Sequence, residues 1–107
     1  MKKKLLFICT ANQQRSPTAE VLFKNSRNYE AKSAGIHPLA EKLITSQAIK
    51  WAEIIFCMED LHKNYILENF PEAKNKRIIV LNIPDIYYKN DPQLIKILKQ
   101  KLKNCLE

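Results

Sequence analysis

The run KLLFIC, Lys4 to Cys9, is apolar without the alternation of a half-exposed strand. A short strand of that kind is covered on both faces, which calls for a parallel sheet with helices on either side. Two further runs have the same character, EIIFCM from Glu53 to Met58 and RIIVLNI from Arg77 to Ile83. YEAKSAG, ending at Gly35, reads as a fourth strand. Helical stretches lie between them. Ser16 reads as an N-cap and Pro17 as the first helical residue of TAEVLFKNSR. A second helix starts near Thr45 and runs through SQAIKWA; a third, EDLHKNYILENF, is stopped by Pro71. Asp91 and Pro92 open a closing helix whose apolar positions are Leu94, Ile95, Leu98, Leu102, Cys105 and Leu106. Strand and helix alternate four times. The expectation is an α/β fold, a three-layer domain over residues 1–107 with right-handed crossovers.

Length and composition agree with one globular domain. A chain of 107 residues suits a single core, and 46% hydrophobic with 27% charged residues excludes a disordered one. Gly35 is the only glycine, so tight turns elsewhere fall to Asn, Asp or Pro. MKKK before LLFIC imitates a secretory signal, but its five apolar residues are too few for a signal core and give way to TANQQR. No segment is long enough to span a membrane. Cys9, Cys57 and Cys105 lie far apart without a CxxC pair, which fits neither a disulfide framework nor a zinc site and suits the reducing cytoplasm. The formal charge of +7, from fifteen lysines against three arginines, attracts anionic partners, nucleic acid among them. Lys96, Lys99, Lys101 and Lys103 read instead as a solvated helix face, so a nucleic-acid role is the weaker reading.

In such sheets ligands bind at the carboxyl ends of the strands. The loop after the first strand, CTANQQRS from Cys9 to Ser16, is therefore a candidate site, and NIPDIYYKND after the last strand falls on the same edge. A loop passing from strand to helix points backbone N–H groups into one concavity at the positive end of the helix dipole. That environment favours a thiolate at the loop's start and a tetrahedral oxyanion above it. Arg15 adds a planar fork that matches two phosphate oxygens. Asn12 is the loop residue best suited to a left-handed conformation, and Ser16 can hydrogen-bond the thiolate as well as cap the helix. Asp85 reads either as a turn former or as an acid, and Asp91 as a helix cap. Cys57 and Cys105 lie on apolar faces and read as packing residues, as does Trp51. His37 stands in a loop near the site; His62 falls on an apparent helix surface and needs no role.

The segment LLFICTANQQRSPTAE resembles the phosphate-binding loop of the low-molecular-weight protein tyrosine phosphatases: an apolar strand, C-x5-R-S, then a Pro-initiated helix. The likeness continues through AKSAG, WAEIIFCMED and IPDIYYKND and covers essentially the whole chain in order. It implies a four-stranded parallel sheet in the order 2-1-3-4. It also implies Cys9 as nucleophile, Arg15 as phosphate clamp and Asp85 as general acid. Thr10, Ala11, Asn12, Gln13, Gln14, Arg15 and Ser16 would form the phosphate cradle, with Tyr87 beside the substrate. The implied reaction is phosphomonoester hydrolysis through a phosphocysteine, on a phosphotyrosyl protein or a small phosphate ester, with no metal or cofactor. Ala11 replaces the family's loop glycine, Ile86 the proline after the acid, and Gln14 a second cysteine found in many members. The stretch from Gly35 to Thr45 is shorter than in longer members. Two alternatives accompany this reading: an arsenate reductase, which would need resolving cysteines, and a non-catalytic module binding an oxyanion or nucleic acid.

Overall fold

The computed structural model describes residues 2–106; Met1 and Glu107, the ends of the expected domain, lie outside them. The strands are β1 (Lys3–Cys9), β2 (Tyr29–Gly35), β3 (Ile54–Cys57) and β4 (Arg77–Val80). The helices are α1 (Arg15–Leu22), α2 (Ser46–Trp51), α3 (Asp60–Asn69) and α4 (Pro92–Leu106), with a 3₁₀ turn at Pro71–Asn75. All pairing is parallel, in the order β2-β1-β3-β4. This is the order and fold class expected.

The unbroken apolar run of β1 serves two cores at once. Its Leu5, Phe7 and Cys9 join Ala19 of α1 and Leu94, Leu98 and Leu102 of α4. Leu6 and Ile8 point the other way, toward Ile49 of α2 and Ile66 of α3. β3 divides in the same manner, Ile54 and Phe56 to the first core, Ile55 and Cys57 to the second. Side chains of successive strand residues alternate faces, so a strand with helices on both sides must be apolar at every position. Phe7 stacks on Phe56 with ring centroids 5.2 Å apart, which ties β1 to β3 at the sheet's centre.

Among the described residues three non-glycines have positive φ, and all are asparagines: Asn12 (56°), Asn82 (56°) and Asn90 (63°). Asparagine tolerates the left-handed region better than other non-glycine residues. Asn82 explains why β4 is shorter than RIIVLNI suggests. Leu81 and Ile83 still donate to the carbonyls of Cys57 and Met58, but the turn at Asn82 takes the chain out of the ladder. The start of α1 also departs from expectation. Gln14, not Ser16, occupies the N-cap position without a side-chain cap, and the Ser16 hydroxyl turns inward. Trp51 is half-buried rather than fully covered, with the Lys32 ammonium 4.4 Å from its ring centroid.

The register pairs Cys9 with Gly35, and Ile8 with Cys57. The carboxyl ends of β1, β2 and β3 thus meet on one edge, where the Cys9–Ser16 loop sits between the segments that follow β2, β3 and β4.

Candidate active site

The loop from Cys9 is shaped by the chain that leaves β2. Ile36, His37 and Glu41 donate their backbone N–H groups to the carbonyls of Cys9 (3.2 Å), Thr10 (3.0 Å) and Ala11 (3.1 Å). These three carbonyls are thereby satisfied by the segment that follows β2. The loop's own amides at Ala11, Asn12, Gln13 and Gln14 donate to no protein group among the described residues. Four consecutive free amides, with those carbonyls engaged elsewhere, form a concavity suited to an anion. Gly35 is essential to this approach. A Cβ on it would lie 2.5 Å from the Thr10 carbonyl oxygen and 2.9 Å from the Asn12 nitrogen.

Below the loop a short relay organises the sulfur. Asn12, fully buried, donates from Nδ2 to the Ser16 oxygen at 2.8 Å, and that oxygen lies 2.9 Å from Cys9 Sγ. The Ser16 hydroxyl also approaches the Ala34 carbonyl at 3.5 Å; facing a Cys9 thiolate, which can only accept, it would give its proton to the sulfur. Cys9 itself is 3% exposed, yet its sulfur borders a pocket of about 160 Å³ lined by Thr10, Ala11, Gln13, Gln14, Arg15 and Asp85. This is below the roughly 300–1,000 Å³ of sites that enclose a whole small ligand, so it suits a single compact group.

Arg15 is 1% exposed and held on one side only. Its Nη1 donates to Glu59 Oε2 at 2.6 Å and to the Ile83 carbonyl at 2.7 Å. Nε is buried without a hydrogen-bond partner, and Nη2 makes no hydrogen bond among the described residues. Since Nε and Nη2 form the second fork of a guanidinium, a bidentate edge is left free for an oxyanion. Asp85 Oδ1 lies 3.7 Å from Nε, too far for a hydrogen bond, and the Asp85 side chain is 61% exposed. The exposed Asp85 and the buried Cys9 line the same pocket.

Two residues that sequence reasoning passed over complete the site. Glu59, the N-cap of α3, is the counter-ion of Arg15. His62 was expected on a helix surface, but it is fully buried; its Nε2 lies 2.9 Å from Thr10 Oγ1. The Glu59 backbone N–H donates to His62 Nδ1 at 3.0 Å, so the proton of the neutral ring is assigned to Nε2, which donates to Thr10. Burial, and then the charge of Arg15, lowers the His62 pKa to about 4, so the ring is neutral near pH 7. The spacing Glu59-x-x-His62 at a helix start was the available signal, since it is the spacing of a capping pair.

The remaining candidates are placed differently. Tyr87 is half-buried and packs against the core shared by α1 and α4; it does not line the pocket. His37 is exposed and accepts from the Leu39 N–H. Asp91 caps α4 through the Gln93 N–H. Burial pushes the Cys57 thiol up to about 12, and Cys105 packs against the core from α4. A larger cavity of about 410 Å³ lies between α1 and α4, lined by Leu22, Phe23, Tyr29, Lys99, Leu102 and Lys103, with no cysteine on its walls.

Comparison with known proteins places this arrangement. Residues 4–54 match the family described as low molecular weight phosphotyrosine protein phosphatase. A protein-arginine-phosphatase of Geobacillus stearothermophilus is 35% identical over 100 residues, covering 71% of this chain and 68% of the relative. The solved structure of the YwlE arginine phosphatase from the same organism superposes with a TM-score of 0.72 at 26% identity, covering 97% of this chain and 92% of that one. The tyrosine phosphatase Wzb from Escherichia coli K30, solved with phosphate, gives 0.76 at 25% identity over 98% and 96% of the two chains. A chain with this sheet order and this loop, so similar to curated and solved phosphatases across most of its length, belongs to the low molecular weight phosphotyrosine protein phosphatase family of cysteine-dependent phosphatases.

Proposed function

We propose that the chain hydrolyses the phosphorylated side chain of a protein by double displacement at Cys9. The observation that carries this reading is the pocket: it brings together Cys9, the unpaired amides of Ala11, Gln13 and Gln14, the free edge of Arg15 and the Asp85 carboxyl group. The phosphoryl group sits on the amides of residues 11–14, with two oxygens on Arg15 Nε and Nη2. Cys9 thiolate attacks phosphorus in line. The S–P bond forms as the P–O bond breaks, and Asp85 gives its proton to the departing oxygen. Asp85 carboxylate then takes a proton from water, whose oxygen attacks phosphorus and returns the thiolate with release of phosphate. Ser16 stabilises the sulfur anion at both ends of the cycle. Positioning and fixed charge supply most of the acceleration, as is general for phosphoryl transfer.

The family name favours phosphotyrosine as the substrate. The Geobacillus relatives favour a second reading, in which the bond broken is the P–N bond of phosphoarginine. The pocket accommodates either, because it encloses only the phosphoryl group. An arsenate-reductase reading is disfavoured because neither candidate resolving thiol reaches the pocket: Cys57 is buried in β3 and Cys105 packs against the core from α4. Among the described residues no helix is long and apolar enough to cross a membrane; with three free thiols, we place the protein in the cytoplasm.

The test is hydrolysis of p-nitrophenyl phosphate, a phosphotyrosyl peptide and a phosphoarginyl peptide without added metal. Turnover is expected to vanish in Cys9→Ser and to fall about 10²- to 10⁴-fold in Asp85→Asn. Undiminished turnover in Cys9→Ser would refute the covalent mechanism. Tight phosphate or RNA binding with no turnover in the wild-type protein would establish the binding-module reading instead.

A further inference from the structure

The acid proposed here has almost nothing of its own to hold it. Among the described residues Asp85 makes no hydrogen bond, and its one ion-pair approach is the 3.7 Å to Arg15 Nε. No backbone N–H from Asp85 to Tyr88 donates to another group among the described residues. Between its ends the segment is held by the packing of Tyr87 against the core, and its hydrogen bonds to the rest of the protein come at its two ends. Its root is fixed at Ile83, whose N–H donates to Met58 and whose carbonyl accepts from Arg15. Its far end is fixed by α1. The Lys89 N–H donates to Gln14 Oε1 and the Asn90 N–H to Thr18 Oγ1, while the Thr18 hydroxyl donates to the Gln14 carbonyl at 2.7 Å. Gln14 enters this clamp twice, by side chain and by backbone, and it also lines the phosphate pocket.

We propose that Gln14 is a positioning residue for the acid: its side-chain oxygen seats the 84–90 loop so that Asp85 meets the leaving group. The same residue contributes one of the four free amides, so the cradle that holds the phosphoryl group and the loop that delivers the proton share one anchor. This rests on the proposed role of Asp85. Thr18, buried and bonded to the same segment, is the second half of the anchor, which is why losing Gln14 Oε1 loosens the loop without freeing it.

Leaving groups separate this role from a merely structural one. Phenolate needs a proton far more than p-nitrophenolate does, so a misplaced acid penalises phenyl phosphate selectively. In Gln14→Leu, the ratio of kcat/KM for p-nitrophenyl phosphate to that for phenyl phosphate is expected to rise roughly 10-fold, within the 10²-fold that a 1 Å misplacement costs. The inhibition constant of inorganic phosphate should stay within about 3-fold of wild type, because the amides and Arg15 remain. In an Asp85→Asn background the same substitution should leave the ratio unchanged, since the two act as one unit. Gln14→Glu keeps an oxygen acceptor and should keep the wild-type ratio even if its charge weakens phosphate binding. Equal losses on both esters, an effect that persists in full without Asp85, or no rescue by Glu would each overturn the proposal. A wild-type protein that turns over neither ester would instead refute the reading of the site. The anchor is then tested by amide exchange, where Lys89 should exchange at least about 10-fold faster in Gln14→Leu. Unchanged exchange would overturn it.

Discussion

Gly35 shows how much one missing side chain can decide. Its φ is not positive, so its value is not conformational freedom. What matters is distance: the chain leaving β2 passes so close to the phosphate loop that a Cβ would meet the Thr10 oxygen at 2.5 Å and Ala40 Cβ at 2.8 Å. Real Cβ atoms do not tolerate such contacts, and a backbone carbonyl cannot swing aside as a side chain can. Gly35→Ala should therefore cost about 1–3 kcal/mol, read as a lowered denaturant midpoint. It should also reduce phosphate affinity, because the loop it displaces carries the amides of Ala11 and Asn12. A variant of full stability and full affinity would mean that the two segments are less tightly apposed than the structure shows. The asparagines make the complementary point. With no second glycine in the chain, the left-handed turns at residues 12, 82 and 90 all fall to Asn, and the first sets the curvature of the phosphate loop.

At the scale of elements, α3 belongs to the site as much as α1 does. Its N-cap Glu59 neutralises Arg15, and its first turn carries His62 beneath Thr10. Because the His62 pKa is lowered from 6.5 to about 4, the unfolded chain takes up a proton below pH 6.5 that the folded protein refuses until about pH 4. Stability is thus fully present above pH 6.5 and falls as pH drops toward 4, by up to about 3 kcal/mol from this residue alone. Denaturant unfolding at several pH values should show that slope in the wild type and lose it in His62→Gln. These same elements mark the limit of what the sequence discloses. The strands were legible because a run such as KLLFIC is buried on both faces, and the helices because their apolar positions recur on one side. Cys9, Arg15 and Asn12 were legible because a strand, a loop and a helix start carry their geometry within eight residues. Glu59 and His62 were not, since their partners lie 44 and 52 residues away, and the local spacing that marks them as a capping pair says nothing of the arginine and threonine they meet. Ser16 reads in the sequence both as a cap and as a partner of the thiolate; the cap position falls to Gln14, and the sulfur 2.9 Å away is the partner the structure gives it.

The whole molecule separates its charge from its site. Lys2, Lys3, Lys4, Arg27, Lys50, Lys74, Lys76 and Arg77 all lie at or before the amino ends of strands, with Glu30, Glu53 and Glu72 among them. The opposite edge, where the pocket opens, is nearly balanced, Lys42, Lys63, Lys89 and Arg15 standing against Glu41, Glu59, Asp60, Asp85 and Asp91. A seven-residue strand such as β1 separates the two edges by roughly 20 Å at about 3.3 Å per residue. That is about two Debye lengths in 0.1 M salt, so the +5 carried by that edge is largely screened before it reaches the pocket. What acts on a phosphoryl group is the local set of amides and Arg15, and these make short contacts that salt screens weakly. Raising monovalent salt from about 0.1 to 0.5 M should then change kcat/KM for p-nitrophenyl phosphate by less than about 3-fold. A substrate gathered along the lysines behaves otherwise, because each neutralised phosphate adds nearly one power of salt dependence and a handful of contacts loses orders of magnitude over the same range. A steep fall with salt would therefore return the basic edge to the mechanism and revive a nucleic-acid substrate; a shallow one leaves the lysines as the solvated underside of an enzyme whose specificity is set at the mouth of one small pocket.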